Sequence, residues 1–342
     1  MKSPLLAVLA LFALSVGCDE GAEFGSPVRS QEPPKVAAAQ EKVETSRRWS
    51  GPATTAHVRP AKPAGGIHVP TRTFVEWEFD KHPQPVRYAM GEMKVIVKGV
   101  PSDVLKDDFM LHVEIEAPGR PAAMFEQYNV DLHFPVLLGF GSLDREGTPY
   151  LLVKSYSGGP HCCTNLDVAI ARPSKIQIVR ADSWDGEPLA RFPSDHDGDG
   201  LTDFILRDGA FNYAFEAYSH SWPPTQIMNI AGGDFVDVST RPGFRDLFIA
   251  EMREARRLCL DRKEAYPDGF CAGYAASAAR AGQFRKAWAE IARRRGPGSD
   301  WKLHPVCKES RMRLGCPRAY QDGANTYLDA LRAHLKRFDY IA

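Results

Sequence analysis

Apolar and polar residues change rhythm along this chain, and the change divides it. Between residues 71 and 240 the apolar residues come in short runs separated by turn residues. Runs at 75–79, 93–97 and 110–115 are β-branched or aromatic and partly alternating, which predicts strands with one buried face. Runs at 150–153, 166–170 and 204–206 are shorter and more apolar, as expected of strands covered on both faces. No helical period interrupts this part, so it reads as all-β.

From residue 241 the period lengthens. Phe244, Leu247, Phe248, Met252, Ala255, Leu258 and Cys259 recur at i, i+3, i+4 and predict one apolar helix stripe. Cys271, Tyr274, Ala275 and Ala278 predict a second stripe. Phe284, Ala287, Trp288 and Ile291 predict a third. A fourth runs through Tyr320, Ala324, Leu328, Leu331, Leu335 and Phe338. Pro267, Gly282, the Gly296-Pro297-Gly298 cluster and Pro317 punctuate them. The expected class is α+β. An N-terminal all-β domain (71–240), a sandwich or a partial propeller, precedes a small helical domain (241–342).

The first 70 residues follow neither rhythm. Lys2, an apolar run at 5–16 broken only by Ser15, and Gly17-Cys18 describe a secretory signal, too short to span a bilayer once its flanks are counted. Its ending, Leu14-Ser15-Val16-Gly17-Cys18, resembles a bacterial lipobox, although Leu14 stands one place further from Cys18 than the strict pattern. That resemblance implies diacylglyceryl transfer to the Cys18 thiol and an exported chain of the cell envelope, facing the periplasm or the surface. Residues 19–70 are rich in Pro, Ala, Ser, Glu and Lys, with Phe24 and Trp49 as their only aromatics. They bury too little apolar surface to offset the entropy of ordering and read as a disordered tether.

Six further cysteines remain: Cys162, Cys163, Cys259, Cys271, Cys307 and Cys316. An even number in an exported chain suggests disulfides that would staple the helical part. Two arrangements stay open. One pairs neighbours and leaves Cys162 to Cys163; the other crosses the four C-terminal cysteines. A four-thiolate zinc site would need tighter spacing.

Asp195-His196-Asp197-Gly198-Asp199-Gly200-Leu201-Thr202-Asp203 is the strongest local signal. Carboxylates at loop positions 1, 3, 5 and 9, a glycine at 6 and a carbonyl at 7 suit a hard cation. Position 12 is Leu206 rather than Glu, and a strand follows, so the EF-hand reading fails. A strand after such a loop resembles the calcium hairpin of FG-GAP/VCBS-type repeats, known from integrin-α-like propellers and bacterial exported proteins. The resemblance implies a structural Ca2+ on Asp195, Asp197, Asp199, Leu201 and Asp203. A degenerate second copy runs over 139–153, where Gly147 aligns with Gly200 and most ligands are missing. Two such units cannot close a propeller.

Ser157-Gly158-Gly159-Pro160-His161-Cys162-Cys163-Thr164 is the second signal. It offers a thiol enzyme in which His161 activates Cys162 or Cys163 and the glycines bind an oxyanion. Adjacent strand residues diverge, however, and an oxidising compartment consumes unpaired thiols, which favours a disulfide. Serine-hydrolase, zinc-protease, phosphate-loop and dinucleotide signatures are missing from the sequence. Asp185, Glu187, Asp208 and Glu216 read as surface charges, and Trp222-Pro223-Pro224 as a rigid loop.

Charge then refines the picture. The whole chain is neutral, yet residues 241–342 carry 21 Lys+Arg against 12 Asp+Glu and leave the remainder equally acidic. The densest basic points, such as Arg256-Arg257 and Arg293-Arg294-Arg295, read as solvated helix faces, with anionic headgroups as the sharper reading. The balance gives no support for nucleic-acid binding. The sequence therefore points to a non-enzymatic binding or scaffold protein, tied to a bacterial membrane by its lipid and meeting an envelope protein or glycan.

Overall fold

The computed structural model describes residues 66–102, 109–128, 130–158, 162–181, 183–294, 306–307, 321–322 and 326–342. Cys18, His161, Cys316 and residues 19–65 of the expected tether lie outside them. The side chains of Cys162 and Cys307 also lie outside this description.

The first strands are β1 (Ile67–His68), β2 (Thr73–Trp77), β3 (Val86–Met90), β4 (Met93–Pro101), β5 (Phe109–Glu116) and β6 (Ala123–Gln127). Next come β7 (Val136–Ser142), β8 (Pro149–Tyr156), β9 (Cys162–Ala171), β10 (Ile176–Arg180) and β11 (Trp184–Asp185). A third group holds β12 (Phe204–Arg207), β13 (Thr225–Ala231) and β14 (Asp234–Asp237). Helices α1 (Arg245–Leu260), α2 (Asp268–Arg280) and α3 (Phe284–Arg294) follow, then the short pair β15 (Val306–Cys307) and β16 (Gln321–Asp322), then α4 (Tyr327–Arg337). The first three predicted stripes contain α1, α2 and α3; the fourth contains α4 only from Leu328 onward, since Gln321–Asp322 is a strand and Tyr320 and Ala324 lie outside the described residues.

Three open sheets are stacked as layers. Sheet 1 has the order β1-β3-β4-β5-β6 and sheet 2 the order β10-β9-β8-β7-β2, with β11 beside β9. Sheet 3 is β12-β13-β14. Sheets 1 and 2 pack as a sandwich around Trp77, Val95, Val113, Leu138, Phe140 and Val153. The opposite face of sheet 2 supplies Tyr150, Leu152 and Val168, which meet Phe204 and Leu206 of sheet 3. Strand alternation turns Ile205 and Ile227 the other way, into a third core with Phe248, Tyr274, Ala275 and Leu331 of the helices. This layering explains the continuous apolar runs at 150–153 and 204–206: both strands are covered on both faces.

Gly139 and Gly141 lie in β7, where any Cβ would collide with the rings of Phe74 and Tyr150. Their part in the degenerate copy is therefore packing. Cys259 and Cys271 are buried and bridged, with Cα atoms 4.6 Å apart, joining the end of α1 to the start of α2. No helix among the described residues is long and apolar enough to cross a membrane.

Glu251 of α1 joins sheet 3 to the helices. Its carboxylate accepts from Arg207 Nη1 (2.7 Å), from the backbone N–H and hydroxyl of Thr225, and from Ser277 Oγ of α2. Sheet 3 and the helices consequently share both an apolar core and a buried polar contact. Two of the expected surface charges are not on the surface. Glu216 is buried, and the Asp208 carboxyl is enclosed, accepting from Ala210 N–H and from the Tyr340 hydroxyl. The 208–224 connection folds back onto the sheet and encloses them, which no local pattern announces.

Candidate metal centre

The 195–203 loop leads into β12 and is pinched at its base, where Ser194 and Asp203 exchange backbone hydrogen bonds. Its carboxylates first organise the loop itself. Asp195 accepts from the N–H groups of Gly198 (2.8 Å) and Gly200 (3.0 Å), Asp197 from Asp199 and Asp199 from Leu201. Gly198 and Gly200 have φ of 78° and 95°, the left-handed backbone that only glycine adopts without strain. Asp203 is fully buried and accepts from His196 N–H and from Asn229 Nδ2 of β13, both at 2.7 Å.

These turns bring oxygens of Asp195, Asp197 and Asp203 within 4.8 Å of one another. Three carboxylates so close repel one another unless a cation lies nearby. Burial is the main cause pushing the Asp203 carboxyl up; its two hydrogen bonds oppose that rise, and the charges of Asp197 and Asp199 add to it. Burial likewise pushes His196 down, with Arg191 contributing. Asp199 is oriented differently: its second oxygen accepts from Arg241 Nη1, which also donates to Asn229 Oδ1 at 2.9 Å. The same guanidinium nitrogen stands 3.8 Å from Asp197. Gly243 completes the packing, because a Cβ there would collide with Asp197. Arg241, Asn229 and Gly243 lie outside the motif, and no spacing rule connects them to it.

The degenerate copy packs directly beside the acidic loop. Asp144 pairs with Leu201 across an antiparallel bridge, Thr202 N–H donates to Leu143 O at 2.8 Å, and Arg145 donates to Gly198 O. Asp144 itself caps its own turn through Thr148 N–H.

Ser157 and Cys163 close the second motif: Ser157 N–H donates to Cys163 O, and Cys163 N–H to Ser157 Oγ. Cys163 is disulfide-bonded, which leaves no thiolate at that position. The basic helix faces are partly used internally. Arg256 holds Glu290 with two hydrogen bonds, Arg257 holds Glu254, and Arg294 donates to Asp261 O and Glu264 O.

Comparison with known proteins adds two similarities. Residues 248–339, most of the helical part, match the family model of the sll0997 C-terminal domain. The chain is also 29% identical over 210 residues to a protein of Synechocystis sp. named "Probable thylakoid lumen protein sll0997". That similarity covers 60% of this chain and 60% of the relative's length. It is longer than the whole 241–342 segment, so it extends into the β-rich part. No solved structure matches.

Proposed function

We propose that this protein is exported to the cell envelope, anchored to a membrane through a diacylglyceryl group on Cys18, and acts there as a non-enzymatic binding or scaffold protein with a structural calcium ion. The carrying observation is the convergence of Asp195, Asp197 and Asp203 in a loop that turns on Gly198 and Gly200. The donor set consists of hard oxygens, which suits calcium, and the resemblance adds the Asp199 carboxylate and the Leu201 carbonyl as further ligands. The order of loop then strand supports the FG-GAP/VCBS resemblance. Bound there, the ion would supply countercharge to the loop between sheet 3 and the start of the helices.

Export is supported by the signal-like N-terminus, by the disulfides at Cys163 and Cys259–Cys271, and by a relative named for a lumen. A binding role is favoured over a thiol enzyme using His161 with Cys162 or Cys163, because the bonded Cys163 sulfur is no nucleophile.

Calorimetric titration of the chelated, purified protein with CaCl2 tests the metal. One-site binding that disappears in Asp195→Asn plus Asp197→Asn is expected, and absence of heat in the parent protein rejects it. Cys18→Ala should release the protein from membranes; unchanged partitioning rejects the anchor. Alkylation of the native, unreduced protein should label no low-pKa thiol, and rapid labelling at the 162–163 pair would move the reading to the enzyme.

A further inference from the structure

Helices α1 and α3 are joined near their C-terminal ends. Arg256 of α1 holds Glu290 of α3 with two hydrogen bonds, and Arg294 of α3 donates to the carbonyls of Asp261 and Glu264. Residues 261–267, which connect α1 to α2, are thereby fixed against the last turn of α3. This corner of the helical part is a held surface.

The acidic side chains of the connection serve its own backbone. Asp261 accepts from Lys263 N–H at 2.9 Å and Glu264 from Tyr266 N–H at 3.0 Å, while Glu264 also stands 3.8 Å from the His220 ring. The cations have no such task. Arg262 and Lys263 are exposed and form no ion pair among the described residues. Arg293, exposed on the adjoining turn of α3, engages only Nε, which donates to Ala289 O of its own helix. Farther back along the same two helices, Arg253 and Lys286 are exposed without an ion pair as well. Tyr266 stands beside these charges and is 52% exposed, with its ring against that of His220.

A helix C-terminus attracts cations through its partial negative charge. Arg294 already meets that charge at the end of α1, which leaves Arg262, Lys263 and Arg293 without a structural role among the described residues. Clustered like charges repel one another, and an anionic surface relieves the repulsion. Guanidinium groups match phosphate oxygens with paired N–H donors. The phenol then selects among polyanions. Tyrosine is apolar along its ring and polar at its tip, which suits the headgroup level of a bilayer, and exposed aromatics beside cations are the composition of interfacial binding.

We propose that the corner formed by residues 261–267 and the end of α3 docks on an anionic bilayer. Arg262, Lys263 and Arg293 meet lipid phosphates, and Tyr266 lies at headgroup depth. This deepens the membrane part of the reading above: it rests on export to a bilayer and uses neither the Cys18 lipid nor the acidic loop.

Co-sedimentation of the full chain with vesicles of phosphatidylcholine, and of phosphatidylcholine with about one-third phosphatidylglycerol, tests it. An apolar N-terminus partitions alike into both, so the ratio of the two partition coefficients isolates the charged contact. A basic residue beside an anionic surface is worth about fivefold, so three predict a ratio on the order of a hundred, collapsing toward unity in about 0.5 M NaCl. Arg262→Glu plus Lys263→Glu plus Arg293→Glu should lower the ratio at least about tenfold. Lys263→Glu alone should lower it several-fold, and it serves if the triple variant misfolds. Tyr266→Ala should weaken binding to the anionic vesicles, and Arg262→Lys plus Arg293→Lys, which keeps the charge, should retain it. A ratio near unity in the parent, or one unchanged in the folded charge-reversed variants, overturns the proposal. Binding to soluble poly-glutamate that matches binding to the anionic vesicles also overturns it and assigns an acidic protein partner. The anchor is read separately, as the effect of Cys18→Ala in high salt, so either reading can fail without the other.

Discussion

Arg241 reaches back along the chain to Asp199, and its one Nη1 donates to both Asp199 Oδ2 and Asn229 Oδ1. Arg241 immediately precedes the 3-10 turn Pro242–Phe244 that leads into α1, and Asp199 belongs to the acidic loop before β12. One guanidinium therefore ties the loop, sheet 3 and the start of the helices together, and it lends the loop a fixed positive charge.

Replacing Arg241 by Met should expose that role. The side chain is 38% exposed, so solvent screening limits the loss to about 1 kcal/mol in calcium-free buffer. Added calcium should then raise Tm by more in Arg241→Met than in the parent, because the ion replaces the lost countercharge. Equal calcium shifts in both proteins would show that the guanidinium and the ion do not share the loop.

Calcium itself should stabilise by linkage. At a hundredfold excess over its dissociation constant, a ligand that binds only the folded state adds about 2.7 kcal/mol. Thermal melts with CaCl2 and with EDTA should differ accordingly, and Asp197→Ala plus Asp199→Ala should abolish the difference.

Glu251 should be among the most sensitive polar positions. Its Ala variant leaves Arg207, Thr225 and Ser277 without their shared acceptor, and breaking a buried pair from one side costs about 3–5 kcal/mol. Urea unfolding with probes in sheet 3 and in the helices should show both destabilised together. A change confined to one of them would contradict the shared core.

The Cys259–Cys271 bridge closes a short loop, worth about 3 kcal/mol in the chain-entropy account. Cys259→Ala plus Cys271→Ala should lower urea stability by that order. Mass spectrometry of an unreduced digest should recover the two cysteines as one linked peptide.

His334 sets a pH dependence. Its ring lies among Phe211, Phe215 and Phe338, and burial, aided by Arg337, pushes its pKa down to about 3. In the unfolded chain it titrates near about 6.5. Between those values the unfolded chain binds a proton that the folded chain refuses, so stability falls as pH drops below about 6.5 and is unaffected above it. The slope should approach 1.4 kcal/mol per pH unit, on the order of one proton. Comparing urea melts of the parent and His334→Leu from pH 5 to 7.5, where ordinary carboxylates stay ionised, isolates this group. Parallel profiles would refute the assignment.

Much of the fold is legible because it is periodic. Run 93–97 alternates as β4 does, run 110–115 falls within β5 although Met110 to Val113 are all buried there, and the stripe from Phe244 to Cys259 covers α1, because each period follows from backbone geometry. Strands β3, β6 and β13 escape such reading, because neighbouring strands supply their partners. Within the acidic loop, Asp195, Asp197 and Asp203 were legible because a local turn brings them together. Arg241 and Asn229 were not, because they reach the loop only through the packing of sheet 3.

The sequence by itself determines the composition of the parts. It holds a signal-like start, a β-rich part, a basic helical part and an acidic loop whose glycines permit its turn. Tertiary structure alone decides how the described parts combine. It layers sheet 2 between two cores, lets sheet 3 and the helices share a third, and folds residues 208–224 over Trp184 and Asp185. The physical reason is range. Periodicity and turn chemistry act over a few residues, whereas the contacts of Glu251, Arg241 and Asp185 join groups brought together by burial of apolar surface and satisfaction of buried polar groups.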